Sequence, residues 1–298
     1  MARVIITGAT GNVGAVVARL LADAGAQVRL AGRDAAPGVA GLPGLAAPVE
    51  RVRLDFTAPS TWEPAFAGAR TMFLVRPPAL GNVRRDLLPA LGAARQAGVR
   101  HVVFLSLQGA ERNKVVPHAT VETWLRGSGL DWTFVRASFF HQNLSTTHAA
   151  DVRDRGALVL PAGRGATAFV DAHDVGAVAA AALLDPGAHR NRAWTVTGPQ
   201  ALTYAEVAGI LSRELGRPVR YDPVGVLRYA RHARRELGMA PGMALVTSAI
   251  YTTARLGLAA GLTDDVRTVL GRDPVDVATF AHRERAAWMP SEAAAGHS

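Results

Sequence analysis

The stretch Thr7-Gly8-Ala9-Thr10-Gly11-Asn12-Val13-Gly14 decides the fold, because it stands between a strand pattern and a helix pattern. The apolar run Val4-Ile5-Ile6 is typical of a short buried strand, and the apolar spacing after the turn predicts a helix over Val13–Ala24. In such a turn the first glycine allows a tight bend, the second leaves room for a phosphate, and the third lets the helix pack closely. The first N–H groups of the helix favour an anion. The stretch therefore predicts a site for the pyrophosphate of a dinucleotide.

Strand and helix patterns alternate through the first half of the chain. The predicted strands are Arg3–Ile6, Gln27–Leu30, Val49–Leu54, Thr71–Val75, His101–Leu105 and Trp132–Val135. The predicted helices are Val13–Ala24, Pro59–Phe66, Val83–Ala97 and Pro117–Gly127. This alternation is typical of a parallel sheet covered by helices on both faces. We therefore predict an α/β fold, a Rossmann doubly wound parallel sheet.

The pattern changes after residue 144, where a smaller and mainly helical region for substrate binding, or a lid, is predicted. We expect residues 1–144 to form the dinucleotide-binding domain and residues 145–290 the second region, some of whose elements return to the first sheet. Thr203 and Glu206 have the spacing of a capping box, which predicts a helix over Tyr204–Leu215. The tail 291–298 is predicted to be disordered.

Composition excludes several kinds of site. The 298 residues include no cysteine, so disulfides, thiolate metal sites and cysteine nucleophiles are absent. His141 and His148 do not have metal-ligand spacing with a further partner, and we expect no metal. No basic segment with a longer apolar run opens the sequence, so we expect no signal peptide and a cytoplasmic protein. The apolar stretch Met243–Leu262 contains Arg255, and it is interpreted as a buried or lid helix rather than a membrane span.

The formal net charge of +9 raises the question of a nucleic-acid partner. Arg228, Arg231, Arg234 and Arg235 recur at helical spacing, but no aromatic residues alternate with them as in a single-strand binder. Attraction of an anionic cofactor is the more economical use of the positive charge. We expect a small aromatic substrate as partner, no nucleic acid, no membrane, and a monomer or dimer.

Arg33 follows the second predicted strand, where an NAD-specific site would place an acid for the ribose. An arginine there can instead pair with a 2′-phosphate, which favours NADPH (NADP+). Asp34 comes next, so use of NADH stays open. Asp55, with Phe56 beside it, follows the third strand and is predicted to accept from the adenine amino group. The alternative is that Asp55 caps the next helix.

Several further stretches, taken with the turn and Arg33, resemble NmrA-like proteins, which are atypical short-chain dehydrogenases/reductases. These stretches are His101–Ala110, Val121–Leu125, Ser128–Arg136, Phe140, Asn143-Leu144 and, more weakly, Phe169-Val170-Asp171 and Thr197-Gly198-Pro199. The family contains NADPH-dependent quinone, triarylmethane dye and isoflavone-type reductases, ketoreductases of aromatic polyketide pathways, and redox sensors that are not catalysts. The resemblance implies that the pyrophosphate is held by residues of the turn, namely Gly8, Thr10, Gly11, Asn12 and Val13. Thr7, at the start of the turn, is also predicted to bind the cofactor. It implies that Arg33 holds the 2′-phosphate. It also implies adenosine and ribose contacts from Val75, Arg76 and Pro77, and nicotinamide contacts from Leu107, Ser138 and Phe139.

The proton donor cannot be carried over, because the usual Tyr-x-x-x-Lys pair is replaced by His118-Ala-Thr-Val-Glu122. An i,i+4 pair of His118 and Glu122 is one hypothesis for proton transfer, and a solvated helix start is the alternative. Ser106 is a second catalytic candidate, or a strand-end cap. His141 and Gln142 are further candidates, and the substrate itself or solvent can also supply the proton. The predicted substrate-binding residues are Gln108, His118, Phe140 and His141, with Phe139 and the Met239–Tyr251 region as possible apolar walls or core.

These observations predict an NADPH-dependent reductase that transfers a hydride to a ketone or quinone carbonyl of a polycyclic aromatic, polyketide-like substrate. The alternative hypothesis is a regulatory protein that senses NADP(H) without turnover, since the Tyr–Lys pair is missing. A nucleic-acid binder is a third hypothesis, and it predicts a strongly salt-dependent affinity for DNA.

Overall fold

The computed structural model describes residues 3–33 and 49–289 of the chain. The strands are β1 (Arg3–Thr7), β2 (Val28–Gly32), β3 (Val49–Arg53), β4 (Ala69–Val75), β5 (His101–Leu107), β6 (Asp131–Ala137), β7 (Phe139–Phe140), β8 (Ala157–Leu160), β9 (Ala166–Val170), β10 (Arg192–Val196), β11 (Ala201–Thr203) and β12 (Arg220–Pro223). The helices are α1 (Asn12–Asp23), α2 (Trp62–Phe66), α3 (Val83–Asp86), α4 (Leu88–Gln96), α5 (Pro117–Gly127), α6 (Gln142–Ser145), α7 (Ala149–Arg155), α8 (Ala172–Leu184), α9 (Pro186–His189), α10 (Tyr204–Leu215), α11 (Val226–Arg235), α12 (Pro241–Arg255), α13 (Asp265–Leu270) and α14 (Val277–Arg283). Two 3₁₀ turns cover Pro59–Thr61 and Arg285–Trp288.

The chain divides into two compact units. Of the described residues, the first unit contains 3–33 and 49–137 together with Ala172–Val196 and Asp265–Arg272. The second contains Ser138–Asp171, Thr197–Asp264 and 273–289. The predicted tail 291–298 lies outside the described residues.

The first unit is built on a seven-stranded sheet in the order β10-β6-β5-β4-β1-β2-β3, and every neighbouring pair is parallel. The order reverses at β1, so the helices cover both faces and the interior strands are mainly apolar. Ile5, Met72 and Phe104 are completely buried in this core. The predicted Rossmann doubly wound sheet is thereby confirmed.

The helix predicted over Val83–Ala97 is interrupted at Leu87, so that α3 and α4 are separate. Pro89 explains the interruption, because a proline has no N–H to bond with the carbonyl of the preceding turn. The predicted single helix is therefore wrong at this point.

A buried arginine joins the edge of the sheet to α2. Arg29 in β2 is 4% exposed, and its Nη1 donates to the carbonyls of Ala65 and Ala67 at 2.7 and 2.8 Å. Its Nη2 lies 2.9 Å from Oε1 of Glu50 in β3. The carbonyls at the end of a helix have no partner within the helix, and this guanidinium satisfies them.

The second unit contains a three-stranded sheet in the order β11-β9-β7 and a two-stranded sheet of β12 and β8. Its core is rich in aromatic side chains, among them Phe169, Tyr204 and Tyr251. The capping box of Thr203 and Glu206 is present at the start of α10, as predicted. Among the described residues, no helix is long and apolar enough to cross a membrane.

Candidate functional site

The glycine turn of the first unit is held by backbone contacts that only glycine permits. Gly8 has a φ of +66°, a conformation that side chains rarely adopt. A Cβ on Gly14 would lie 2.1 Å from the carbonyl oxygen of Gly8, so α1 packs directly on the turn. Thr7 fixes the strand end, because its Oγ1 donates to the Phe73 carbonyl at 3.1 Å and accepts from the Val75 N–H at 2.8 Å.

Gly11 is different, because no neighbouring atom of the described residues demands a glycine there. Its φ is −86°, and an added Cβ would meet only the Gly8 carbonyl oxygen at an ordinary 3.4 Å. Gly11 is also the N-cap of α1, and the first turn has neither a side-chain cap nor an acidic residue. The donors of a helix N-terminus together with the missing Cβ suit a phosphate that approaches the backbone. The turn, with Thr10, Asn12 and Val13 in it, thus fits the pyrophosphate of a dinucleotide.

Arg33 follows β2 directly, in an exposed position close enough to Asp55 for its charge to act on that carboxylate. The pKa of Asp55 is lowered, first by hydrogen bonds from the Thr57 N–H and hydroxyl and then by the charges of Arg33 and Arg53. Those hydrogen bonds, at 2.9 and 2.7 Å to Oδ1, make Asp55 the cap of the following turn. Phe56 next to it is buried. The adenine contact of Asp55 stays a prediction.

We expect Arg33→Ala to raise the Kd for NADPH by about ten- to a hundredfold, because a charge-assisted hydrogen bond to the 2′-phosphate is lost. The Kd for NADH should stay within about a factor of two. Fluorescence titration of both nucleotides measures this. Arg53→Ala, an exposed arginine that acts on the same carboxylate, is the matched control and should leave both values unchanged. Equal losses for the two nucleotides would contradict the assignment.

The segment after β4 is held in place by Arg76. The Nη1 of Arg76 donates to the carbonyl oxygens of Pro77 and Leu80 at 3.0 and 3.1 Å. Burial lowers the pKa of Arg76, and its Nε is buried without a hydrogen-bond partner among the described residues. Val75 lies against Gly8, since a Cβ on that glycine would be 3.0 Å from the Val75 Cβ. Val75 therefore lies beside the glycine turn, and Arg76 and Pro77 follow it in the chain. Their contacts to adenosine and ribose stay predictions.

A buried polar cluster joins β5, α5 and β6. The Ser106 hydroxyl donates to Oε1 of Glu122 at 2.7 Å, and Arg136 donates from Nε and Nη2 to the two carboxylate oxygens at 3.0 and 2.7 Å. Ser106, Glu122 and Arg136 are 3%, 1% and 8% exposed. Arg126 and Glu111 extend the cluster at 3.2 Å from Glu122 and Arg136, respectively. The Ser106 hydroxyl thus donates its hydrogen bond to a carboxylate, and it does not offer that hydrogen bond to a substrate in this structure.

The pKa of Glu122 is the result of opposing effects. Burial alone would raise it, but the hydrogen bonds from Arg136 and Ser106 and the charges of Arg136 and Arg126 outweigh burial and lower it. Glu122 is therefore a carboxylate. The sequence did not point to the role of Arg136, although an arginine between apolar residues of a buried strand requires a buried acid.

His118 does not form the predicted hydrogen-bonded pair with Glu122, whose oxygens are taken by Ser106, Arg136 and Arg126. That hypothesis is wrong for this structure. The imidazole instead stacks on Phe104, with ring centroids 5.8 Å apart, and its Nδ1 is buried without a hydrogen-bond partner in the described chain. Burial, and then the charge of Arg76, lower the pKa of His118 to about 4, although Glu122 acts in the opposite direction. His118 is therefore neutral at pH 7 and faces the Arg76 charge.

The other predicted site residues are divided between the units. Leu107 ends β5, and the N–H of Gln108 donates to the Ala137 carbonyl at 2.9 Å. Ser138, Phe139, Phe140 and His141 belong to the second unit. Their contacts to nicotinamide and substrate stay predictions.

Within the second unit, Ser138 donates from its hydroxyl to the Ala168 carbonyl. Phe139 packs against Phe169 and Tyr251, with ring centroids 5.7 and 5.6 Å apart. His141 is 1% exposed, and both its ring nitrogens lack a hydrogen bond within the described chain. In the Met239–Tyr251 region Tyr251 is core and Leu245 is 71% exposed, so only part of the predicted apolar wall is buried. No group of acids and histidines among residues 3–33 and 49–289 could hold a metal ion.

The model of the NmrA-like family matches residues 1–237. The chain belongs to the NmrA-like family. It is 36% identical over 294 residues to an NAD(P)H azoreductase of Xenophilus azovorans, covering 96% of this chain and 99% of the relative. It is 36% identical over 277 residues to the (4-alkanoyl-5-oxo-2,5-dihydrofuran-3-yl)methyl phosphate reductase of Streptomyces griseus, covering 90% and 93%. Among solved structures, the triphenylmethane reductase of Citrobacter sp. complexed with NADP(H) has a TM-score of 0.82 and 25% identity, covering 95% of this chain and 99% of that one.

Proposed function

We propose that this NmrA-like protein is an NADPH-dependent oxidoreductase that reduces flat, electron-poor aromatic acceptors of the quinone or dye type. One observation carries the proposal: the two side chains that the sequence predicts as proton donors do not offer a proton. Ser106 donates to Glu122, and the lowered pKa of His118 leaves its imidazole neutral. An acceptor that needs a hydride and little acid assistance suits such a site better than an unactivated ketone.

The cofactor, when bound, supplies the hydride. The chain's own residues would bind and orient it: the N–H groups at the start of α1, next to Gly11, would hold the pyrophosphate, and Arg33 would hold the 2′-phosphate. Phe104 is completely buried in β5, and its ring stacks on that of His118. Ser106 and Arg136 both donate to Glu122 and hold its carboxylate in place.

The relatives support the dye class. Two of the proteins named above are called an azoreductase and a triphenylmethane reductase, and both kinds of dye are extended aromatic molecules. A fused-ring quinone is the member of this class that also meets the sequence-based expectation of a polycyclic, polyketide-like substrate. The site needs no proton from the protein for such an acceptor, since water can complete the reduction of a quinone.

The experiment follows NADPH oxidation with a panel of acceptors at neutral pH. We expect turnover with a quinone, an azo dye or a triphenylmethane dye, and rates at least about a hundredfold lower with an unactivated aromatic ketone, because general acid catalysis is missing. Comparable rates for the ketone would contradict the proposal. Tight NADPH binding without turnover on any acceptor would instead favour the redox-sensing protein that the missing Tyr–Lys pair suggests.

His118 gives a second test of the same mechanism. We expect His118→Phe, which keeps a ring against Phe104, to retain the quinone kcat within about threefold, because a neutral imidazole is not the proton source. The kcat of the unmodified protein should show no step near pH 6.5 from this residue. Stopped-flow rates between about pH 5.5 and 8 measure both effects. A loss of a hundredfold or more in the variant would make His118 the acid.

A further inference from the structure

An exposed apolar surface extends along α11, α12 and the loop that follows them to Leu262. We call these residues, 226–262, the α11–α12 face. The large hydrophobic side chains exposed in it are Val226, Leu227, Met243, Leu245, Val246, Ile250, Leu256, Leu258 and Leu262. Leu227, Leu245 and Leu258 are 88%, 71% and 72% exposed. Single exposed leucines need no explanation, but a concentration of them in one segment marks an interaction site.

These side chains are not required by the core. Both helices bury their opposite sides in the same aromatic core, through Tyr229 and Ala233 on α11 and Tyr251 and Ala254 on α12. The rings of Tyr229 and Tyr251 are 5.4 Å apart, so the two helices lie side by side. His232 on α11 also bonds Asp151 of α7 at 2.7 Å. The exposed sides of both helices therefore face outward from a fixed base.

The same face is strongly basic. Arg231, Arg234 and Arg235 are exposed and make no ion pair with another described residue, and they line a depression of about 450 Å³ together with Leu227 and Ala230. The only acid in this segment is Glu236, which pairs with Arg155. A partner that binds this face must therefore present both apolar groups and negative charges.

We propose that the α11–α12 face binds the surface of a membrane that contains anionic lipids. Leucine side chains enter the boundary between headgroups and acyl chains, and the arginines pair with lipid phosphates. A second copy of the chain fits less well, because it would bring arginine clusters of the same sign together on a molecule of net charge +9. A nucleic acid would leave the exposed leucines without a partner.

The proposal departs from the sequence-based expectation of no membrane partner. The sequence argument addressed only a membrane span, whereas a peripheral contact needs only a basic amphipathic surface. The periodicity of Arg228–Arg235 was visible in the sequence, but the exposure of Leu227 and Leu258 beside it was not. The inference goes beyond the proposed function and does not depend on it.

The test is sedimentation of the full-length protein with vesicles of phosphatidylglycerol and phosphatidylcholine in equal parts, compared with vesicles of phosphatidylcholine alone. We expect binding to the anionic vesicles that falls at least tenfold on the neutral ones and is released at about 0.5 M NaCl. The double variant Arg231→Glu/Arg234→Glu, and separately Leu227→Asp/Leu258→Asp, should each lose at least about tenfold in vesicle affinity.

Matched controls change the same chemistry outside the face. Arg84→Glu/Arg190→Glu alters the net charge equally, and Val115→Asp/Leu184→Asp introduces acids at exposed apolar positions. Thermal melting, monitored by circular dichroism, shows whether each variant is folded. The test therefore does not depend on enzymatic activity. Controls that bind vesicles like the unmodified protein, with both face variants impaired, support the proposal.

Three results would overturn it. The first is no binding to anionic vesicles, or equal losses in the face variants and the controls. The second is a dimer in sedimentation velocity that Leu227→Asp/Leu258→Asp dissociates, without vesicle binding, which would make the face a contact between two copies. The third is tight binding of a labelled DNA duplex that the arginine variant loses and the leucine variant keeps.

Discussion

Glu122→Ala is expected to lower the free energy of unfolding by about 3–5 kcal/mol, because removing one partner of a buried ion pair leaves the other charge uncompensated. Arg136 is 8% exposed and has its two hydrogen bonds to Glu122 at 3.0 and 2.7 Å, so the variant leaves this buried cation with the partly exposed Glu111 at 3.2 Å in place of a buried carboxylate. Ser106 also loses its acceptor. Urea unfolding followed by tryptophan fluorescence measures the change.

Two further variants show whether the buried charge is the cause. Glu111 touches the same Arg136 at 3.2 Å, but its side chain is 37% exposed, so Glu111→Ala should cost less than about 1 kcal/mol. The double variant Glu122→Met/Arg136→Met removes both charges and should recover most of the stability, because no buried charge is left unpaired. A double variant as unstable as Glu122→Ala would show that shape, rather than charge, dominates at this site.

The same carboxylate makes stability depend on pH. The pKa of Glu122 is lower in the folded protein than its ordinary value of 4.5, so its contribution is fully present above that value and is lost as the pH falls through the folded pKa. Glu122→Gln cannot titrate and should show a shallower loss of stability on acidification below about pH 4.5. Urea midpoints taken across that range compare the two proteins.

Gly14→Ala is expected to disrupt the turn as well as cofactor binding. The added methyl group would lie 2.1 Å from the Gly8 carbonyl oxygen and 2.7 Å from its carbonyl carbon, and both belong to backbone that cannot rotate away. Overpacking of this kind costs about 1–3 kcal/mol of stability, and the first turn of α1 must shift to relieve it. We expect a lower melting temperature together with at least a tenfold weaker affinity for NADPH.

Gly11→Ala is the matched comparison, because it adds the same methyl group three residues earlier. Its Cβ meets the Gly8 carbonyl oxygen at 3.4 Å, so the fold should keep its melting temperature. The methyl group would stand where the pyrophosphate approaches, so NADPH affinity should still fall by tenfold or more. Calorimetric melting and fluorescence titration separate the two variants. Unchanged affinity in Gly11→Ala would remove the turn from the cofactor site.

The fold was predictable because its signals are local. The turn from Thr7 to Gly14 and the alternation of short apolar strands with helices need only neighbouring residues to be recognised. The break at Leu87 was also within reach, since Pro89 is in the sequence. The short strands β7 and β11 were not, because two or three residues give no periodicity and their pairing partners are distant in the chain.

The candidate site was predictable only in part, and for the same reason. The residues of the glycine turn follow one another in the chain, whereas Ser106, Glu122 and Arg136 meet through tertiary packing. The spacing of His118 and Glu122 suggested a pair on one helix, but Arg136 of β6 forms hydrogen bonds to the Glu122 carboxylate instead. An i,i+4 pair on a helix is worth a few tenths of a kcal/mol, and two hydrogen bonds from a buried arginine exceed it.

The buried pair of Glu122 and Arg136 also restricts how this protein can evolve. The usual tyrosine–lysine chemistry of the superfamily would need a lysine at position 122 and a tyrosine at position 118. A lysine at 122 would face Arg136, and two cations would then be buried against each other until a second substitution removed the arginine. The mutational path therefore passes through an intermediate that does not fold well. Positions 122 and 136 are therefore expected to change together rather than one at a time.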